Sequence, residues 1–249
     1  MDCDGGFSRR RFLGGAATLV LSAPVFGALG CGPQKKSAPG PLTIDGWKIP
    51  VGTTLPAARY AQVAALFDAM IPADKAGVGA TGANAAWYLD QLLGAFSVDP
   101  PRIYAGGPFS GRHGGVDGFS HFQPLTRVET IRWRTYLEGS NGVAEREFNG
   151  PVKGLLQSYN EGLDALERAA RSQYQSAFAT LDLGSRQALL SGAGPAFVQV
   201  AYANALEGTY GDPVYGGNLQ EGGWKAISWE GDRQPIGYSA RQMSNPEEG

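Results

Sequence analysis

The sequence predicts an all-α protein: a single helical domain of about five to six helices, with long ordered Gly/Pro-rich loops and an extended C-terminal region. Three observations carry that prediction. Apolar residues recur at three- and four-residue spacing in several separate windows, as expected when one face of a helix is buried. No window of useful length alternates apolar and polar residues as a half-buried strand does. The 37 glycines and 16 prolines are high for this length, while aromatic residues are spread along the whole chain, so the connections read as ordered loops and not as disorder.

The first helix opens at Thr54-Leu55-Pro56, with Thr54 or Thr53 as its cap and Pro56 in the first turn. Its apolar face is Tyr60, Val63, Phe67 and Met70, and Pro72 ends it. Asn84 or Thr81 caps a second helix with the stripe Ala85, Tyr88, Leu89, Leu92, Leu93 and Phe96. A third runs from about Leu125 to Leu137, and Gly139 terminates it. Val152 to about Leu181 is the longest periodic segment, with Leu155, Leu156, Tyr159, Leu163, Leu166 and Ala170 in register and Gly162 as a kink or break. Asp182 or Ser185 starts a short helix through Leu190, and Pro195 to Glu207 makes the last one. From Gly208 the period is lost.

Ahead of this body stands Ser8-Arg9-Arg10-Arg11-Phe12-Leu13, followed by a modest apolar run. Arg9 and Arg10 with Phe12 and Leu13 form a twin-arginine (Tat-type) export signal. The run is interrupted by Gly14, Gly15, Ser22 and Pro24 and is short for a membrane span. Ala28-Leu29-Gly30-Cys31 is similar to a lipobox, with the usual leucine one place late, and marks Cys31 for lipidation. The chain thus divides into a signal peptide at 1–30, a flexible tether at 31–53, a helical domain at 54–240 and a C-terminal tail at 241–249.

The only cysteines are Cys3 and Cys31, so the body is expected to hold no disulfide, no CxxCH haem site and no cysteine cluster for a metal. Residues 1–30 carry two acids and three arginines, so their removal takes the net charge from -2 to -3. That balance speaks against a nucleic-acid partner.

Few motifs point to chemistry. Gly77 to Gly82 spells GxGxxG, but a helix precedes it where the dinucleotide fingerprint needs a strand. His113 and His121 lie eight apart in a Gly-rich loop without a third ligand. Asp68 and Asp74 read as structural residues around Pro72. Tyr210, Tyr215, Trp224 and Trp229, set among turn residues, either fold back on the helical core or face a partner, since they are the types enriched at interfaces. No catalytic, cofactor-binding or metal-binding residue is expected.

Two segments carry a resemblance. The run Ala65-Leu66-Phe67-Asp68-Ala69-Met70-Ile71-Pro72-Ala73-Asp74, with Gly79-Ala80 and then Tyr88-Leu89-Asp90, is one. Glu207-Gly208 through Asp212-Pro213-Val214-Tyr215-Gly216-Gly217-Asn218, with Gly223-Trp224-Lys225, is the other. Together they resemble gluconate 2-dehydrogenase subunit 3, the small subunit of membrane-associated FAD-dependent sugar and sugar-acid dehydrogenases. The resemblance covers most of residues 55–238.

It implies a non-catalytic accessory subunit that binds, stabilises and co-exports a GMC-type FAD-containing large subunit through the Tat translocon. A multihaem cytochrome c is the implied electron acceptor, and the expected location is the periplasm, with a membrane anchor at Cys31. The matching residues Asp68, Pro72, Asp212, Pro213, Tyr215, Gly216, Gly217, Asn218 and Trp224 become candidates for the partner interface. The other reading is a stand-alone periplasmic lipoprotein that binds a small ligand, or a hydrolase using the His113/His121 loop.

Overall fold

In a computed structural model the described residues are 43–44, 47–48, 53–99, 101–103, 124–211 and 216–229. The expected export signal at Arg9, Arg10, Phe12 and Leu13, the expected lipidation site Cys31, both histidines, Asp212, Pro213 and Tyr215 lie outside them. Eight α-helices occur among the described residues: α1 (Ala57–Met70), α2 (Gly79–Gly82), α3 (Ala85–Leu93), α4 (Arg127–Glu138), α5 (Leu155–Tyr174), α6 (Leu183–Leu190), α7 (Pro195–Tyr210) and α8 (Gly222–Ala226). Six are the helices the periodicity predicts; α2 and α8 are short additions. A two-rung antiparallel ladder, Thr43–Ile44 (β1) with Trp47–Lys48 (β2), lies within the range read as tether.

α1 is the centre of the fold. From Val63 to Ala69 every residue is buried, because α3, α5, α6 and α7 pack around it. A helix apolar on nearly all sides needs such a cage. Edge contacts carry the core outward from α1: Phe67 meets the Tyr159 ring at 6.4 Å and Tyr159 meets Phe197 at 5.6 Å. α5 is amphipathic and buries Leu155, Tyr159, Leu163, Leu166 and Ala170 along one stripe. Arg59 on α1 reaches Asp164 on α5 at 2.5 Å.

Several local expectations are corrected by tertiary contacts. Neither Thr53 nor Thr54 caps α1; Pro56 holds that position, and the free amides before it are taken up by Asp90 of α3. Asn84 precedes α3 but adopts φ 61° and makes no cap bond; its side chain donates to the Gly216 carbonyl at 3.1 Å. Thr81 points the other way and donates to Asp68. Gly162 does not split α5, which runs unbroken for 20 residues. The glycine is there for space, since a Cβ would stand 2.4 Å from the Phe197 ring.

Other expectations hold. Asp182 caps α6 by accepting from the Ser185 amide at 3.0 Å. Gly139 ends α4 with φ 88°. Thr126 and Glu129 close a capping box at the start of α4 that the periodicity alone does not reveal.

Candidate functional site

The two motif segments meet on one side of α1. After Met70 the chain turns through Asp74, whose carboxylate accepts from the Ala76 and Gly77 amides at 2.8 and 3.0 Å. α2 then folds back, and the Ala80 amide donates to the Ile71 carbonyl at 2.8 Å. Gly79 makes this reversal possible at φ 62°, where a Cβ would lie 2.4 Å from the Ala73 nitrogen.

Asn218 is the hub of the C-terminal segment. It is fully buried. Its amide donates to the Gly208 carbonyl at 2.7 Å, and its side-chain nitrogen donates to the Gly211 carbonyl at 2.9 Å. Its side-chain oxygen accepts from the Gly223 amide at 2.9 Å. The neighbouring Leu219 amide donates to the Ala83 carbonyl at 3.0 Å. Trp224 is buried and donates from Nε1 to the Tyr210 carbonyl at 2.6 Å.

The glycines of this segment leave room for backbone. A Cβ on Gly217 would stand 2.5 Å from the Gly208 oxygen, and one on Gly223 would stand 1.9 Å from the Thr209 oxygen. Non-glycine residues Asn218, Gln220, Glu221 and Ser228 all take positive φ here, a conformation that surrounding contacts must hold in place.

Asp68 is 1% exposed and pairs with Arg186 of α6 at 2.8 Å. Arg186 also donates to the Ala65 carbonyl at 3.0 Å, and Thr81 donates to Asp68 at 3.4 Å. The pair therefore joins α1, α2 and α6 inside the core. Such a pair fixes geometry more than it adds net stability, because both charges have left water.

A second polar group lies between α3, α5 and α7. Tyr159 donates to Asn204 at 3.0 Å, Asn204 donates to Glu207 at 3.1 Å, and Tyr88 donates to the same Glu207 oxygen at 2.8 Å. Burial pushes the Tyr159 hydroxyl well above its ordinary range, with Tyr136, Tyr88 and Glu207 adding to the effect. Tyr136 is raised as well, first by burial, against a hydrogen bond with Asn204.

The candidate interface residues are placed as follows. Asp68, Gly217, Asn218 and Trp224 are buried within this chain, and Pro72 and Gly216 are half-buried. The motif thus works first as an internal clasp. Among the exposed apolar side chains are its neighbours Leu219, Ile227 and Trp229, and also Phe148, which is 92% exposed on the α4–α5 loop. Phe148 was invisible to periodicity because it sits in no helix.

A groove of about 660 Å³ runs between α5 and the start of α7, lined by Lys153, Glu161, Asp164, Arg168 and Phe197. The GxGxxG segment ends in the single-turn α2 and follows a helix, so it lacks the strand that dinucleotide binding requires. Among the described residues no group of three His, Cys, Asp or Glu is placed to hold a metal ion. Among them also, no helix is long and apolar enough to cross a membrane.

Tyr60 is buried, and its hydroxyl has no hydrogen-bond partner among the described residues. Burial, then the nearby Asp90 charge, raises its pKa far above the ordinary tyrosine value. Removing an unsatisfied buried hydroxyl relieves a desolvation cost. Tyr60→Phe is therefore expected to stabilise the fold by about 1 kcal/mol, read as a higher urea midpoint. A lower midpoint would mean that the hydroxyl is hydrogen-bonded in solution, for which the adjoining cavity of about 10 Å³ has room for one water.

A family model described as gluconate 2-dehydrogenase subunit 3 matches residues 57–231. No curated protein and no solved structure matches the chain.

Proposed function

Because the chain belongs to the gluconate 2-dehydrogenase subunit 3 family, we propose that it is a non-catalytic accessory subunit that binds, stabilises and co-exports an FAD-dependent, GMC-type sugar or gluconate dehydrogenase large subunit. The observation that carries this reading is the leader Ser8-Arg9-Arg10-Arg11-Phe12-Leu13 on a member of that family. The Tat route moves folded cargo, and a flavoprotein must fold to hold its FAD. The reading is supported by a body whose buried carboxylates Asp68 and Asp90 are each engaged by its own donors. FAD belongs to the partner, a multihaem cytochrome c takes the electrons, and lipid on Cys31 holds the assembly at the periplasmic face of the membrane.

The test is to replace Arg9 and Arg10 together by Lys and to follow the flavoprotein by cell fractionation. The flavoprotein is expected to stay in the cytoplasm while the level of this chain is unchanged. Unimpaired export of the flavoprotein would overturn the reading.

A further inference from the structure

Asp90 is the least expected group in the core. It is fully buried at the C-terminal half of α3. It accepts from the Thr53 amide at 2.8 Å, the Thr53 hydroxyl at 3.0 Å, the Thr54 amide at 3.0 Å and the Leu55 amide at 2.7 Å. Gln91 adds a bond to Asp90 at 3.2 Å and another to the Thr53 hydroxyl at 2.8 Å. Three successive backbone amides converge on one carboxylate just ahead of α1, where a helix N-terminus favours negative charge. The ligand of this anion-binding turn is supplied from 35 residues further along the chain.

Two further contacts press the same segment onto α3. Leu55 is buried in the core. Gly94 lies against Thr54, so that a Cβ there would fall 2.0 Å from the Thr54 hydroxyl and 3.2 Å from its Cβ. Arg102 hydrogen-bonds to Gln91 on the opposite side, and its amide donates to the Ala95 carbonyl at 2.7 Å. The end of α3 therefore fastens both the lead-in at 53–55 and the chain returning at 102.

We propose that Asp90 is a latch: it orders the segment joining the leader side of the chain to the body only when α1 and α3 are packed. In the unfolded chain the carboxylate and its three amides are far apart and solvated. In the folded one Thr53, Thr54 and Leu55 are held on the end of α3. This builds on the proposed export role, since it couples the segment next to the signal to completion of the core. A signal held this way precedes a disordered lead-in in the unfinished chain and an ordered one in the finished body.

The purified full chain tests this without any export assay. Hydrogen exchange at the Thr53, Thr54 and Leu55 amides is compared in the wild type, Asp90→Asn and Gly94→Ala, with Ala64 to Phe67 of α1 as the internal reference. The wild type is expected to protect all three amides. Each variant should speed their exchange by at least about tenfold while the α1 reference stays protected, because local opening is then separated from global unfolding. Gly94→Ala leaves Asp90 intact and adopts an ordinary φ of -87°. It therefore keeps the proposal testable if Asp90→Asn prevents folding. Unprotected amides in the wild type, or exchange unchanged in Gly94→Ala, would overturn the latch. A failed leader test with a positive exchange result would leave the latch standing and remove only its tie to export.

Discussion

Arg186→Ala is expected to cost about 3–5 kcal/mol of unfolding free energy. The loss follows from position. Asp68 is 1% exposed on the central helix, and Arg186 is its ion-pair partner at 2.8 Å. Without the guanidinium the buried carboxylate loses this ion pair, and the Ala65 carbonyl loses its side-chain donor. A residue-sized void opens beside α1 as well. The measurement is the urea midpoint with its slope, by far-UV circular dichroism.

A second variant separates charge from packing. Asp68→Asn combined with Arg186→Met removes both charges and keeps most of the volume. It should recover more than half of the loss, because replacing both members of a buried pair is far cheaper than removing one. If Arg186→Ala alone costs less than about 1 kcal/mol, the pair is not the buried tie described here.

Gly223→Val should open the C-terminal clasp, at a cost of about 2–4 kcal/mol. A Cβ at 223 would stand 1.9 Å from the Thr209 carbonyl oxygen, a backbone atom at the end of α7. No rotamer relieves that clash, so α8 must lift. Lifting it breaks the Gly223 bond to Asn218 and takes Trp224 from its site against Tyr210. Trp224 emission should shift to longer wavelength, judged against a Trp224→Phe background that removes its share. The helices α1 to α7 keep their circular dichroism, because the lifted segment lies at one edge of the fold. An unchanged spectrum and midpoint would mean that the segment does not depend on this close approach.

The same clasp explains why the motif residues were readable as important but not in what role. Gly217, Asn218 and Trp224 stand in a turn-rich segment with aromatic residues, a composition shared by surface loops and interfaces. Their burial depends on where Gly208 and Ala83 lie, more than a hundred residues apart in the chain for Ala83 and Asn218. Local composition carries no information about such a distance. The exposed neighbours Leu219, Ile227 and Trp229 join Asp212, Pro213 and Tyr215 as candidates for the docking surface of the proposed partner.

The all-α class and the six long helices were legible in the sequence itself, because burying one face of a helix imposes a spacing that survives in any window. Caps with local partners, Asp182 with Ser185 and Thr126 with Glu129, depend on residues three apart and are legible in principle for the same reason. The proposed export signal at Arg9 and Arg10 is likewise a linear pattern, and the leader test above is what reads it. Tertiary structure alone decided what the buried polar groups do: Asp68 chose Arg186, Asp90 chose the amides at 53–55, and Gly162 made room for Phe197. Each choice joins segments brought together only by packing, where a charge or an amide cut off from water must find whatever partner the fold places within reach.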